Sequence, residues 1–286
     1  MSGTILREKL ARGGIITAPG IYDHMSLLIA NKQGFDAHYA SGYWGTASML
    51  GLPDAGVAAY RDFITQFARF VENSSAPLIA DADTGFGSIA NLAHAVKGYQ
   101  KARIAAMQIE DQPYPKICGH VGRATSVPAA QMVNRMKVSV DARGDGDMLI
   151  IARTDARRTE GLNAAIDRLA AYAEAGADIL FLEASQNEDE IAAAAKALDK
   201  PLLLNAAHGG FTPILSPQEY QLLGVRLVIY PAGPPLSAAY AAQEFYKSLK
   251  NGEPNPEHIA RFDFAEMSDL LGLNDIAALQ DKYPDA

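Results

Sequence analysis

The chain has 286 residues, 49% of them hydrophobic, and a formal net charge of −8 at pH 7. This length suffices to bury a large core, and the acidic balance argues against a nucleic-acid partner, because a phosphate-binding face needs clustered Lys and Arg. The N-terminus lacks the pattern of an export signal, and no apolar run reaches the ~18 residues of a membrane span, so we expect neither export nor membrane insertion.

Eight short apolar runs alternate with longer stretches whose apolar residues recur at three- and four-residue spacing. Near-continuous hydrophobicity is typical of parallel strands that are covered on both faces. The predicted strands are Ile15 to Pro19, Ala37 to Ser41, Pro77 to Asp81, Ala105 to Glu110, Met148 to Thr154, Asp178 to Glu183, Pro201 to Asn205 and Arg226 to Pro231.

This alternation of strands and helices predicts an α/β fold, either an open doubly wound sheet or a closed barrel. The number of strands, eight, favours a (β/α)₈ TIM barrel. No linker rich in Pro, Gly or Ser divides the chain, so we expect one barrel domain over residues 1–286, with residues 250–286 as a C-terminal helical extension.

Polar residues follow the predicted strands, whereas the opposite strand ends carry mostly Gly, Ala, Pro and Lys. Strand ends are solvated and therefore often polar, but this asymmetry favours a functional site at the C-terminal ends of the strands, where barrel active sites are built. The polar residues are Ser41, Asp81, Asp83, Glu110, Asp111, Arg153, Asp155, Glu183 and Asn205.

The segment DADTGFG contains two carboxylates, Asp81 and Asp83, that lie two residues apart at a strand end and so project to the same side. An acidic pair beside glycines can also be a turn or a helix cap. Asp54 and Glu110 supply further carboxylates from adjacent strands, which favours a cation. Hard oxygen ligands suit Mg²⁺, with Mn²⁺ as a substitute, and some of these carboxylates should act through water.

The segment PKICGH places the single cysteine, Cys118, among Lys116, Gly119 and His120. A lone cysteine can be a small buried hydrophobe, but neighbouring cations lower a thiol pKa and favour acid–base chemistry. One cysteine also excludes an internal disulfide and is typical of a reducing compartment, so we expect a cytoplasmic protein.

Arg153 can bind a carboxylate through two parallel hydrogen bonds, or it can form an ion pair with Asp155 or Glu183. Asn205 and the backbone donors of Ser41, Gly42 and Tyr43 could bind a second carboxylate or an enolate oxygen. The histidines at 24, 38, 94 and 258 show no metal-ligand spacing.

These residues, in this order, resemble the isocitrate lyase/phosphoenolpyruvate mutase superfamily. The likeness covers nearly the whole chain and includes APGIYDHMS, YASGYWGTASMLGLPD, IADADTGFG, QIEDQPYPKICGH, IIARTDA, EGLNAAIDRLAAYAEAGAD, FLEA and YP. It implies a barrel whose final helix is exchanged with a neighbouring subunit, usually in a homotetramer, and an enolate intermediate bound to Mg²⁺.

By position, the resemblance assigns the metal to Asp81 and Asp83, with Asp54 and Glu110 assisting through water. It assigns the substrate to Ser41, Gly42, Tyr43, Lys116, Gly119, His120, Arg153, Glu183 and Asn205. Cys118 resembles the residue that protonates the enolate in the carbon–carbon lyases. The phosphonate-processing branches lack this Cys-Gly-His loop, so the loop selects the lyase branch.

Within that branch the chain resembles the enzymes that act on 2-methylisocitrate and 2,3-dimethylmalate. Leu236 stands where methylisocitrate lyases place an Arg for the third carboxylate, and Phe264 replaces a later Arg. Without these cations a buried third carboxylate would be held poorly, since an unpaired buried charge costs roughly several kcal/mol. His208 stands where several relatives have Glu, which changes either loop hydrogen bonding or specificity.

The sequence therefore predicts a Mg²⁺-dependent lyase that cleaves a 2-hydroxy dicarboxylate to pyruvate or another 2-oxo acid and a carboxylate. Tyr43 and a metal-bound water are candidates for the base that takes the hydroxyl proton. Two alternatives remain: an oxaloacetate hydrolase or decarboxylase on the same barrel, and a barrel that binds without catalysis.

Overall fold

The computed structural model describes residues 2–119 and 125–283. Eight parallel strands form a closed barrel in which each strand pairs with the next in chain order and the last pairs with the first. The strands are β1 Ile16–Ile21, β2 His38–Ala40, β3 Leu78–Asp81, β4 Ala106–Glu110, β5 Leu149–Thr154, β6 Ile179–Leu182, β7 Leu202–Asn205 and β8 Leu227–Tyr230. The predicted TIM barrel is confirmed, and each strand overlaps the run predicted for it.

Helices connect the strands and cover the barrel. They are α1 Ser2–Ala11, α2 His24–Lys32, α3 Gly42–Leu50, α4 Tyr60–Asn73, α5 Ile89–Lys101, α6 Ala129–Arg143, α7 Arg157–Glu160, α8 Leu162–Glu174, α9 Glu188–Ala197, α10 Pro217–Leu222, α11 Gly233–Lys250, α12 Phe264–Leu270 and α13 Leu273–Lys282. In α4 the spacing of Phe63, Phe67 and Phe70 places three rings on one face, and all three are fully buried.

Two hydrophobic clusters build the barrel. Inward-facing strand residues such as Ile16, Ile151 and Phe181 fill its interior, and a larger cluster lies between the strands and the surrounding helices. Leu6 and Leu10 of α1 belong to the interior cluster and pack against it. The barrel is thus a filled core rather than a pore, and its polar residues gather at the C-terminal ends of the strands.

The described chain divides between Gly233 and Pro234 into two compact units. The first contains all eight strands, and the second contains α12 and α13, which lie within the extension predicted for residues 250–286. The predictions of a single domain and of helix exchange between subunits stay predictions. Within the described ranges, no helix combines the length and the apolar character needed to cross a membrane.

Candidate active site

Asp81 ends β3 and is held in place by hydrogen bonds from three directions. Its Oδ1 accepts from the backbone N–H of Asp83 at 3.0 Å and from Gln108 Nε2 at 3.2 Å, and its Oδ2 accepts from the backbone N–H of Gly42 at 3.2 Å. A Cβ atom at Gly42 would lie 2.6 Å from Oδ2. The Asp81 carboxylate is therefore fixed, and only glycine at position 42 leaves room for it.

Lys116 joins the carboxylates of Asp54 and Asp83 in the buried part of the site. Its Nζ lies 2.5 Å from Asp54 Oδ2 and 3.0 Å from Asp83 Oδ1, and its side chain is 3% exposed. Burial lowers the pKa of Lys116, but the surrounding carboxylates outweigh burial and hold it well above its usual value. An ammonium group thus lies among the side chains that the resemblance assigns to a metal.

Glu110, at the end of β4, is completely buried. Neither of its carboxylate oxygens accepts a hydrogen bond within the described part of the chain, and Arg153 Nη1 lies 3.5 Å from Oε2. Burial raises the pKa of Glu110 well above its usual value, against the opposing charges of Lys116 and Arg153. The carboxylate is therefore desolvated without the hydrogen bonds that usually compensate a buried charge.

The oxygen donors of these carboxylates suit the chemistry of a divalent cation. Within the described residues, both oxygens of Glu110 accept no hydrogen bond, and Asp83 Oδ1 is paired with Lys116 Nζ at 3.0 Å. Hard carboxylate oxygens of this kind are the ligands that Mg²⁺ prefers. No three His, Cys, Asp or Glu side chains in the described residues converge closely enough to hold a metal as they stand. The assignment of Asp54, Asp81, Asp83 and Glu110 to a metal stays a prediction.

Arg153, near the end of β5, is held by ion pairs. Its Nε and Nη2 donate to Asp155 at 3.1 and 2.8 Å, and Nη2 lies 3.2 Å from Glu183 Oε2. Burial lowers the pKa of Arg153, but Asp155, Glu183 and Glu110 hold it well above its usual value. The ion-pair alternative considered from the sequence is present in the structure, and it orients the guanidinium toward the centre of the site.

The segment Ser41–Gly42–Tyr43 begins α3 beside β2. Ser41 Oγ accepts a hydrogen bond from the backbone N–H of Trp44 at 3.4 Å and so caps the helix. Burial raises the pKa of the Tyr43 hydroxyl, and electrostatic interactions with Cys118 and Asp54 raise it further. A raised pKa favours the protonated hydroxyl, which can donate a hydrogen bond, and the assignment of Tyr43 as a candidate base stays a prediction.

Cys118 lies in the loop that follows β4 and is half-buried. Its backbone N–H donates to the carbonyl oxygen of Asp54 at 3.2 Å. Lys116, two residues earlier in the same loop, binds the Asp54 carboxylate. This setting differs from the apolar core expected of a structural cysteine. His120, which the resemblance places in the same loop, lies outside the described residues.

Asn205 and Glu183 meet at the ends of β7 and β6. Asn205 Nδ2 donates to Glu183 Oε2 at 3.2 Å, and Glu183 Oε1 accepts from the backbone N–H of Ala184 at 2.9 Å. His208, in the loop after β7, is exposed. The structure therefore brings Arg153, Glu183 and Asn205 together, as expected for residues that share one ligand.

Sequence reasoning missed most of the residues that support the site, and it named Asp111 only as one of the polar residues at the strand ends. Tyr39 donates to Gln108 Oε1 at 2.8 Å, and Gln108 in turn donates to Asp81. Asp111 accepts from Thr154 Oγ1 at 2.6 Å and from Tyr172 at 2.9 Å. The signal for Gln108 was an amide between the apolar residues Met107 and Ile109 of β4, because a buried amide side chain needs a polar partner.

Comparison with known proteins decides the family. The model of the phosphoenolpyruvate phosphomutase family matches residues 6–250. The chain belongs to this family. Among relatives in the family, 2,3-dimethylmalate lyase of Eubacterium barkeri is 38% identical over 97% of the chain and 96% of its own length. The 2-methylisocitrate lyase of Bacillus subtilis is 37% identical over 96% of the chain and 90% of its own length.

Solved structures agree with this placement in the phosphoenolpyruvate mutase/isocitrate lyase superfamily. An oxaloacetate acetylhydrolase in complex with 3,3-difluorooxalacetate superposes with a TM-score of 0.93 at 30% identity, covering 100% of this chain and 98% of that one. A phosphonopyruvate hydrolase complex with oxalate and Mg²⁺ superposes with a TM-score of 0.88 at 27% identity, covering 100% of both chains. The protein is an enzyme of this superfamily.

Proposed function

We propose that the protein is a Mg²⁺-dependent carbon–carbon lyase that cleaves a 2-hydroxy dicarboxylate of the 2-alkylmalate type, such as 2,3-dimethylmalate, to pyruvate or another 2-oxo acid and a second carboxylate. The relatives named as lyases of 2,3-dimethylmalate and 2-methylisocitrate support this class of reaction. Manganese should substitute for magnesium, because both prefer oxygen ligands.

The observation that carries the proposal is the hydrogen bond from the Cys118 backbone to Asp54. It holds a thiol at the same end of the barrel as Arg153 and the acidic side chains of Asp81, Asp83 and Glu110. A carbon–carbon lyase needs both parts, an electrophilic centre for the oxyanion that forms and an acid for the carbanion that leaves.

In the proposed reaction the bond between C2 and C3 of the substrate breaks. The 2-hydroxyl group gives up its proton to a base, C2 becomes the carbonyl carbon of the 2-oxo acid, and the bonding electron pair passes to C3 as an enolate of the second carboxylate. The Cys118 thiol delivers its proton to C3, and the hydrogen bond from Tyr43 stabilises a substrate oxygen. A Mg²⁺ ion held by Asp81 and Asp83, with Asp54 and Glu110 assisting, would supply charge stabilisation for the oxyanion.

Arg153 would bind the substrate carboxylate. Its Nε and Nη2 donate hydrogen bonds to the Asp155 carboxylate, whereas its Nη1 lies 3.5 Å from Glu110 Oε2. A guanidinium held on one edge in this way keeps its orientation while its other edge meets a ligand, so little entropy is lost on binding.

The substrate should be a dicarboxylate rather than a tricarboxylate. Leu236 and Phe264 stand at the positions where methylisocitrate lyases carry Arg, so the sequence lacks the cations that a third carboxylate needs. An apolar substituent at C2 or C3 suits a leucine better than a charge does.

A second candidate, hydrolysis of oxaloacetate, is favoured by the superposition with oxaloacetate acetylhydrolase. In that reaction water adds to the C2 carbonyl and the same C2–C3 bond breaks, which gives oxalate and acetate. The metal carboxylates and Arg153 would have the same roles, so the two candidates differ chiefly in the groups at C2 and C3.

A substrate panel tests the proposal. The purified protein with Mg²⁺ is assayed with malate, 2-methylmalate, 2,3-dimethylmalate, methylisocitrate and oxaloacetate, and release of the 2-oxo acid or loss of substrate is measured. We expect the highest kcat/KM for an alkylated malate. A higher value for oxaloacetate would replace the proposal with the second candidate, and a higher value for methylisocitrate would contradict the argument from Leu236.

The proposed assembly follows from the resemblance, and the proposed location follows from the single cysteine and the N-terminal sequence. We expect a homotetramer in the cytoplasm that binds a small carboxylate and neither nucleic acid nor membrane. Sedimentation of the purified chain tests the tetramer directly.

A further inference from the structure

The side chain of Arg158, in the short helix α7, contacts two loops of the candidate active site at once. Its Nη1 donates to the carbonyl oxygen of Gly119 at 2.8 Å, in the loop after β4. Its Cζ lies 4.2 Å from the centroid of the Phe211 ring, in the loop after β7. One guanidinium therefore connects the loop that carries Cys118 with the loop that follows Asn205.

The carbonyl that Arg158 holds lies close to the charged centre of the site. A Cβ atom at Gly119 would lie 2.3 Å from Asp155 Oδ1 and 2.7 Å from Arg153 Nη2. The Gly119 backbone thus packs directly on the ion pair that orients Arg153, without space for a side chain. Since Cys118 is the preceding residue, any displacement of Gly119 also displaces the thiol relative to Arg153.

The short segment 116–119 is anchored at both ends. At its start, Asp54 binds the Lys116 ammonium group and accepts a hydrogen bond from the Cys118 backbone. At its end, Arg158 binds Gly119. The first anchor consists of residues that we place in the metal and substrate site. Arg158 binds the backbone of the segment and faces the Phe211 ring, and it is not among the residues that we assign to the metal or the substrate, so it can be changed without removing a reacting group.

The pairing with Phe211 explains why an arginine suits this position. A guanidinium is planar, so it can face an aromatic ring and still donate an in-plane N–H to a carbonyl, which an ammonium cannot do with the same geometry. The neighbouring Arg157 has a different partner: it donates to Glu190 of α9 at 2.7 and 2.5 Å. Two adjacent arginines therefore have separate tasks, and Arg157 offers a matched control.

We propose that Arg158 is a positioning residue that fixes Cys118 by holding the Gly119 carbonyl, with Phe211 as the support for its guanidinium. The effect on catalysis rests on the proposed function of Cys118, whereas the effect on the position of the thiol does not.

Alkylation of the single cysteine tests the proposal without any turnover. The rate of reaction of Cys118 with iodoacetamide is measured in the full-length protein from pH 6 to pH 9 for the wild type, Arg158→Met, Arg158→Lys, Phe211→Ala and Arg157→Met. We expect Arg158→Met to react about tenfold faster at the high-pH plateau, as follows from losing a hydrogen bond to a charged group. Arg158→Lys should lie between it and the wild type, Phe211→Ala should show a smaller increase, and Arg157→Met should match the wild type.

The pH profile separates position from charge. Loss of a nearby positive charge alone would raise the thiol pKa and move the midpoint upward with the plateau unchanged, which would overturn the proposal. A plateau within twofold of the wild type in Arg158→Met would also overturn it, as would an equal increase in Arg157→Met. If Arg158→Met does not fold, Arg158→Lys and Phe211→Ala decide by the same criteria.

Turnover distinguishes this inference from the proposed function. If the substrate panel identifies a substrate, Arg158→Met should lower kcat with little change in KM, because the variant moves the acid and not the carboxylate-binding side chains. A protein that cleaves none of the panel but shows the expected alkylation rates would contradict the proposed function and leave Arg158 as the residue that positions Cys118.

Discussion

The ammonium nitrogen of Lys116 lies 2.5 Å from a carboxylate oxygen of Asp54, and both side chains are buried. Asp83 Oδ1 lies 3.0 Å from the same nitrogen. Lys116 thus provides the positive charge that keeps two buried carboxylates together, a role that a divalent cation could equally fill. Because Lys116 and Cys118 belong to the same loop, the charge balance of the acidic cluster and the position of the thiol are connected.

Replacing Lys116 should therefore destabilise the protein more in the absence of Mg²⁺ than in its presence. We expect Lys116→Met to lower the free energy of unfolding by about 3–5 kcal/mol without Mg²⁺, since it leaves buried carboxylates unpaired. Mg²⁺ should raise the melting temperature of this variant more than that of the wild type. Thermal unfolding with and without Mg²⁺ measures both effects. Lys97→Met, at an exposed position of α5, is the control, and equal Mg²⁺-induced shifts in all three proteins would contradict the expectation.

Gly42→Ala should weaken the binding of Mg²⁺. The new Cβ would lie 2.6 Å from Asp81 Oδ2 and must displace that carboxylate, whereas a Cβ at Gly45, in the same helix, would meet Gln66 Oε1 at an ordinary 3.4 Å. Shifting a metal ligand through its neighbours typically costs about 10–100-fold in metal affinity. Calorimetric titration of Mg²⁺ into both variants checks this, and we expect Gly45→Ala to bind like the wild type. Equal affinities in the two variants would show that Asp81 is not a ligand.

Cys118→Ser should lose most turnover and retain the binding of Mg²⁺ and pyruvate. A serine hydroxyl is a much weaker acid than a thiol, and removing a general acid typically costs about 10²–10⁴-fold in rate. The measurement is kcat on the best substrate of the panel, together with the dissociation constants of Mg²⁺ and pyruvate. Turnover at the wild-type level in this variant would remove Cys118 from the mechanism.

The ion pair between Arg157 and Glu190 should make stability depend on pH. The hydrogen bonds from Arg157 lower the pKa of Glu190. A carboxyl group whose folded-state pKa lies below its unfolded value of about 4.3 stabilises the protein above that pH, and the contribution is lost as the pH falls through the folded-state pKa. Glu190→Gln should therefore unfold more easily at pH 7, by about 1 kcal/mol, and differ little from the wild type in strong acid.

Urea unfolding at pH 7 and at about pH 3 measures this difference. Asp189→Asn is a matched control, because it removes an exposed carboxylate from the same turn of α9. A destabilisation by Glu190→Gln that is equal at both pH values would mean that packing, and not charge, explains the effect.

Much of the fold could be predicted from sequence because its signals are local. The eight apolar runs predicted the strands with ends that differ by at most two residues; β1, predicted from Ile15 to Pro19, runs from Ile16 to Ile21. Strand ends of a parallel barrel converge by geometry, so the gathering of Arg153, Glu183 and Asn205 was also predictable.

Contacts that depend on side-chain reach across the barrel could not be predicted. Nothing in the local sequence distinguishes a Lys116 that points to solvent from one that reaches Asp54, which is 62 residues away. Whether Arg153 pairs with Asp155 or with a substrate depends on how the loop after β4 packs against the pair, not on the spacing of Arg153 and Asp155 in the sequence. Nothing in the local sequence marks Arg158 as part of the site either, because its partners Gly119 and Phe211 lie 39 or more residues away.

The half-buried Cys118 is the single sulfhydryl of the chain, and this has a consequence for oxidative damage. If peroxide oxidises it to a sulfenic acid, no second thiol of the same chain can condense with it to form a protective disulfide. Recovery then depends on an external reductant such as glutathione, and continued exposure leads to the sulfinic and sulfonic acids, which are not reduced by thiols. A purified enzyme of this design needs a reducing buffer to remain active.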